Sequence, residues 1–387
     1  MLSKLARWCT PERLAGYSGL VLFGYVLLLA VCYRQGIWFV GSDGPHATDF
    51  VNVWAAGRLA LSGNPAAIYD WAVHRQAELA AVGHDFEGYF GWHYPPMLLM
   101  AAVPLSTLPY VAAWLGWSVA TLCFLAWALW QVMPSRAVVL PLLAAPTTLW
   151  CVVTGQNGFL TAALVGGTLA FLHRRPLVAG AFLALLTYKP QFGLLFPVAL
   201  VAGGHWRVVA AATLGTLAWA GLSAALFGVE TWQAFLGSAG HTLDGVLRNG
   251  APGWSKLQSV YAVLHQWLGS EPVAWGGQAA FTLGLAGLVA WAFRRPLPYG
   301  VQAAILAAAV PLATPYAYVY DLPVLAVAGA FLAREGVKRG FLPGERMGLA
   351  AAMLIPAAFP LLGSVTALIA AGVLIGLAVR RALAPAQ

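Results

Sequence analysis

The sequence predicts an all-α polytopic membrane protein, and three observations carry that prediction. Hydrophobic residues make up 60% of the 387-residue chain and charged residues 9%, with a mean hydropathy of +0.76. Such values belong to helical membrane proteins and leave no room for a sizeable water-soluble domain. Apolar runs recur from end to end, about 12 of them if a crossing of about 20 residues shortens where protein covers it. Finally, Lys and Arg concentrate on alternate connections, the pattern of cytoplasmic loops. The net charge of +8 follows from that retention, so nucleic-acid binding is set aside.

The first span, 17–39, is preceded by Lys4, Arg7 and Arg13 and resembles a signal peptide at its start. Val31 is too large to precede a lipoprotein-type cysteine at Cys32, and the apolar pattern continues downstream, so an uncleaved first helix is expected. Cys9, Cys32, Cys123 and Cys151 show neither CxxC nor metal-ligand spacing. No disulfide framework, metal site or cofactor is expected.

The remaining spans are 109–133, 137–154, 157–172, 176–188, 190–204, 207–228, 277–293, 298–313, 318–333, 346–361 and 364–381. Arg136, Arg174, Arg175, Arg207, Arg294, Arg295, Arg334, Lys338, Arg339, Arg346, Arg380 and Arg381 then fall on the side of the N-terminal cations, which makes that side and both termini cytoplasmic. Arg34, Arg58, Arg75, Lys189, Arg248 and Lys256 lie on the other side, with most of the acids. Pro95, Pro96, Pro104 and Pro109 break the run that starts near Met97, so 95–108 is read as re-entrant or interfacial. Two larger extracytoplasmic loops result, 40–94 and 229–276, on a single integral membrane domain covering 1–387. In the first, Phe50, Val53, Trp54, Gly57 and Leu61 recur at helical spacing, as in a helix lying along a bilayer surface. In the second, Trp232, Trp254, Trp267 and Trp275 suit the interfacial zone.

Polar residues that interrupt this apolar pattern are the candidates for chemistry. Asp49 follows Thr48 at the head of an apolar helix pattern. Spacing alone supports a helix N-cap and a general base equally, and capping would occupy the lone pairs that catalysis needs. His93-Tyr94-Pro95-Pro96 reads first as a rigid extended entry into the membrane, and second as a ligand position at His93. Gly155-Gln156-Asn157 is either an outer turn or a hydrogen-bonding floor for a polar ligand. Lys189, within Tyr188-Lys189-Pro190-Gln191, either snorkels or neutralises a phosphate. Tyr316, Tyr318 and Tyr320 suit an interfacial belt, which leaves Asp321 unexplained and points to a polar cavity. Lys256-Leu257-Gln258-Ser259 precedes a short amphipathic run. No Walker, dinucleotide-binding or HExxH motif is present, nor a DxD pair, which argues against a cytosolic nucleotide donor.

In order along the chain, DFVNVWAAGRLALSGNPAAIYD (49–70), YPPMLLMAAVPLSTLP (94–109), GQNGFL (155–160), AGAFLALLTYKPQFGLL (179–195), LQSVYAVL (257–264) and ATPYAYVYDLPVL (313–325) resemble glycosyltransferase family 87. These are polyprenol-phosphate-mannose-dependent membrane mannosyltransferases of the GT-C fold. The resemblance implies a GT-C-type fold and inverting transfer of a sugar, mannose in the better-understood members, from a polyprenyl-phosphate donor to a lipid or glycan acceptor. It implies that Asp49 is the catalytic base and that Lys189 sits by the donor phosphate. His93, Tyr94, Gln156, Asn157, Gln258, Ser259, Tyr316, Tyr320 and Asp321 would contact substrates, at the extracytoplasmic face of a bacterial inner membrane. The competing class is a transporter or flippase of a lipid-linked or small polar solute, which broken helices would also suit. No repeated halves are found, and the acids lie toward the outer edge.

Overall fold

The computed structural model describes residues 10–88, 90–250 and 253–384, all helix and connection apart from two isolated bridges, Val40 with Pro45 and Leu257 with Tyr318. Lys4, Arg7 and Cys9 lie outside the described residues. The first helix, Pro11–Arg34, is opened by Thr10, whose hydroxyl accepts from the Arg13 amide at 3.4 Å, and carries Arg34 in its last turn. Leu20, Phe23, Val26 and Val31 project from it uncovered, as lipid-facing side chains do. Tyr25 donates to the Ala144 carbonyl at 2.9 Å and ties this helix to the body of the protein.

Ala144 lies at a break. The expected span 137–154 is two helices, Arg136–Leu143 and Pro146–Thr154, bent by 50°. Pro146 starts the second helix with no N–H to donate, and Pro141 weakens the first from within. Among the described residues, Pro11–Arg34, Tyr110–Val132, Trp206–Phe227, Glu271–Arg294 and the broken Glu345–Leu383 are long and apolar enough to cross a membrane, and the bent pair counts as one more. This is the architecture of a polytopic membrane protein, with five or six full-length spans where the hydropathy pattern gives about 12 apolar segments. The difference lies in the shorter helices, such as Gly158–Phe171 at about 21 Å. Protein rather than lipid covers that helix, because Gly, Ala and Thr let its neighbours close in.

Gly158–Phe171, Tyr299–Ala309 and Val324–Arg339 form this covered centre, almost every side chain of the first two being buried. The expected span 318–333 begins later, at Val324. Ahead of it Val319–Asp321 makes a single 3-10 turn, closed by Asp321 Oδ2 accepting the Tyr318 amide at 3.1 Å, and Pro323 leads into the helix.

Above the centre lies a layer of short helices. Phe50–Leu61 packs on Leu99–Ser106 and Trp71–Val82. Gly57 permits the first contact, since a Cβ there would strike the Ala102 carbonyl. Val51, Asn52, Ala55 and Ala56 are buried as well as Phe50 and Val53, so this helix is covered on more than the one face its apolar spacing suggests. From the second loop, Val229–Thr242 packs on the turn Pro65–Tyr69 and Val260–Leu268 on Glu271–Arg294. A separate small core of Val246, Leu247, Leu257, Tyr261, Ala262 and Ala274 holds that loop together.

Candidate active site

Asp49 occupies the N-cap position of Phe50–Leu61, yet its backbone is helical (φ −55°, ψ −21°) and its side chain makes no cap bond. The Thr48 carbonyl accepts the Val51 amide at 2.8 Å, so the first turn closes without the carboxylate. Capping therefore does not consume the lone pairs of Asp49. The chain entering this helix is anchored through Tyr110, whose hydroxyl donates to the His46 carbonyl at 3.2 Å and accepts from the Thr48 amide at 3.4 Å.

The partner of Asp49 is Gln156, whose Nε2 donates to Oδ2 at 3.4 Å. The orientation of that amide is fixed from behind. Its Oε1 accepts the Tyr94 hydroxyl at 3.1 Å and the Asn157 backbone N–H at 3.2 Å, so its NH₂ faces the carboxylate. Gln156 reaches this place because Gly155 ends Pro146–Thr154 in a left-handed conformation, φ +66°. A Cβ on Gly155 would collide with Phe50 and the Trp114 indole, so the turn lies directly against the start of the Asp49 helix.

From Gln156 the polar chain continues inward. Lys189 Nζ donates to Asn157 Oδ1 at 2.8 Å and meets Asp321 Oδ1 at 2.5 Å. Its ammonium lies 5.5 Å from the centre of the Tyr320 ring, which stacks on Tyr318. Tyr188 shares a hydrogen bond with Thr161 at 2.6 Å and donates to the Asn157 carbonyl at 3.2 Å. Asn157 Nδ2 is buried with no hydrogen-bond partner among the described residues.

Asp49, Tyr94, Gln156, Asn157, Lys189, Tyr320 and Asp321 thus come together, although five separate stretches of sequence supply them. The other expected site residues occupy different places. His93 lies beside Thr242, its Nδ1 at 2.9 Å from the hydroxyl, and links the first loop to the second. Burial, and then the neighbouring His74, bring the His93 imidazole down to about 4, so it is neutral at physiological pH. Gln258 is fully buried, donating to the Gly363 carbonyl at 3.1 Å and accepting the Ala367 amide at 3.0 Å. Ser259 caps Val260–Leu268 through the Ala262 amide at 3.2 Å. Tyr316 packs on the small second-loop core.

The Asp49 carboxyl is raised to about 6. Burial is the main cause. It is opposed first by the positive charge of Lys256, then by the Gln156 hydrogen bond and by Lys189, while Asp321 adds to the rise. A carboxyl group so placed is mostly ionised at neutral pH and still basic enough to take a proton in a transition state. Lys256, on the turn Trp254–Lys256, and Tyr188 were not among the expected site residues. Tyr188 immediately precedes Lys189, and Lys256 stands two positions before Gln258.

A cavity of about 600 Å³ lies elsewhere, at the far end of Phe50–Leu61, lined by Leu61, Asn64, Val103, Leu226, Phe227 and Glu230. None of the side chains clustered around Asp49 lines it. Among the described residues no three His, Cys, Asp or Glu side chains gather as a metal-ligand set.

A family model described as glycosyltransferase family 87 matches residues 92–315, more than half of the chain. The match takes in Tyr94, Gln156, Asn157, Lys189 and Lys256, whereas Asp49 precedes it and Tyr320 and Asp321 follow it. No curated protein and no solved structure matches the chain.

Proposed function

The chain belongs to glycosyltransferase family 87 and is a membrane glycosyltransferase; from that premise we propose that it moves a mannosyl unit from a polyprenyl-phosphate donor to a hydroxyl of a lipid or glycan acceptor. Transfer is a single inverting displacement at the extracytoplasmic face of a bacterial inner membrane, with both termini cytoplasmic. The Lys and Arg distribution supports that orientation.

The observation that carries the reading is Asp49, a carboxylate at a helix start that is free of capping and held by one oriented amide. Its role is that of general base. The acceptor O–H gives its proton to Asp49 as the acceptor oxygen bonds to the anomeric carbon. The bond between that carbon and the phosphate oxygen breaks in the same step, and polyprenyl phosphate leaves with the electron pair. Gln156 keeps the carboxylate aimed, and Tyr94 keeps Gln156 aimed. Lys189, expected by the donor phosphate, anchors the buried polar network beneath it, where Asp321 and Asn157 hold its ammonium. Tyr320, whose ring lies beside the Lys189 ammonium, borders the sugar and acceptor.

The test is to supply purified protein with radiolabelled polyprenyl-phosphate mannose and candidate acceptors. A new glycosidic bond made by the wild type and not by Asp49→Asn, with donor binding retained in the variant, supports the proposal. Full activity in Asp49→Asn removes that residue from the mechanism. Label that crosses a vesicle membrane without forming a bond favours a transporter.

A further inference from the structure

Most cations that the charge pattern places on the outer side are already engaged. Arg58 lies over the Trp54 ring, Arg75 pairs with Glu78 and Asp85, Arg248 with Asp244 and Glu271, and Lys189 with Asp321. Arg34 and Lys256 are exposed and make no ion pair among the described residues. Arg34 ends the lipid-facing first helix.

Lys256 has a rigid base and a free arm. Its neighbour Leu257 bridges to Tyr318, and the Gln258 amide donates to the Ala317 carbonyl at 2.7 Å. The Gln258 side chain fastens the same segment to Gly363 and Ala367. The turn that carries Lys256 is therefore attached to the strand-like stretch leading into Tyr320 and Asp321. Gly253 lies beneath the lysine stem, where a Cβ would meet only its methylenes at 3.9 Å.

We propose that Lys256 binds the donor phosphate directly, as an exposed cation without an ion pair among the described residues on the turn joined to the Ala317–Tyr318 segment, while Lys189 serves as a positioning residue of the buried network. The proposal rests on the transferase reading above. A polyprenyl-phosphate sugar is a phosphodiester with a single negative charge, and the departing polyprenyl phosphate becomes a monoester that gains a second. A cation able to approach that phosphate stabilises the leaving group more than the ground state. Lys189 is poorly suited to this task because Asp321 balances its charge at 2.5 Å. The Lys256 charge also opposes the rise in the Asp49 pKa more strongly than that of Lys189 does, in keeping with this placement.

The experiment compares Lys256→Met, Lys256→Arg and wild type in donor titrations across pH. Lys256→Met is expected to lower kcat/KM for the donor roughly tenfold to a hundredfold, the worth of one charge-assisted hydrogen bond. Lys256→Arg should recover most of that loss. In Lys256→Met the acidic limb of the profile should also move to higher pH, because the charges then left acting on Asp49 are Lys189 and Asp321, with the Gln156 amide. Unchanged donor kinetics and an unchanged limb overturn the proposal while the transferase reading stands. Should the wild type make no glycosidic bond, that reading fails, and polyprenyl phosphate binding decides about Lys256 separately. Binding to Asp49→Asn that is equally tight with and without Lys256→Met overturns the proposal, and a tenfold or greater loss sustains it.

Discussion

Lys189 and Asp321 face each other at 2.5 Å, Nζ to Oδ1, with 4% and 0% of their residue surfaces exposed. Neither charge is solvated by bulk water, so each depends on the other and on what holds the pair in place. Asn157 Oδ1 takes a second N–H of the lysine, and the Tyr318 amide donates to the second oxygen of the aspartate. This arrangement joins the turn after Pro146–Thr154, the break near Pro190 and the turn before Val324–Arg339 at one point.

Removing one partner leaves an uncompensated buried charge. Lys189→Met or Asp321→Leu alone is expected to destabilise the fold by about 3–5 kcal/mol, and the double variant by much less than the sum. Thermal unfolding in detergent checks this. Additive losses would mean that the two charges are solvated independently.

Asp49 predicts a pH dependence of known sign. Its pKa of about 6 is raised above the ordinary carboxylate value, and the base is competent only when ionised. The rate constant kcat/KM should therefore rise as pH passes through about 6 and level above it. Asp49→Asn should lose about 10²- to 10⁴-fold at the plateau. Stability runs the other way. A carboxyl whose pKa is raised on folding stabilises the protein when protonated, and that contribution is lost as pH rises from the unfolded value through about 6. At pH above that window Asp49→Asn should unfold at the wild-type temperature or higher, and a marked fall in Tm would contradict the reading.

Gly158 supplies a structural control. A Cβ there would run into the Tyr320 backbone carbonyl, and backbone cannot swing aside as a side chain can. Gly158→Ala is expected to lose both thermal stability and transfer, because Gly158–Phe171 and the turn carrying Tyr320 and Asp321 must separate. A variant with wild-type Tm would show that these two segments are not in contact.

Much of this was legible in sequence wherever a polar residue broke an apolar run, because lipid and protein interior penalise unpaired polar groups alike. Asp49, Gln156, Lys189 and Asp321 stood out for that reason. What they pair with was not legible. Gln156 and Asp49 are 107 positions apart and Lys189 and Asp321 are 132, and hydropathy carries no pairing information across such separations. Gln258 and Ser259 show the opposite limit. A polar pair before an amphipathic run has the same spacing whether it meets a ligand or, as here, caps a helix and fastens a loop. Span counting was limited by the same physics, since a 14-residue helix covered by protein is as apolar as one half of a broken crossing.

The orientation of Gln156 leads to the most discriminating substitution. Both acceptor sites of Oε1 are filled, by Tyr94 and by the Asn157 amide, which leaves the NH₂ for Asp49. Gln156→Glu keeps the shape and the first two bonds but turns a second carboxylate oxygen toward Asp49, where the amide stood at 3.4 Å. Two carboxylates that close cannot both ionise readily, so the pair should titrate in two steps with the upper one well above 6. The acidic limb of kcat/KM is then expected to shift upward by at least about one pH unit, with the lost activity returning at higher pH. Gln156→Leu removes the amide without adding charge, so it should lower the plateau and move the limb upward by less. If Gln156→Glu and Gln156→Leu gave the same profile, the amide would not be in contact with the base.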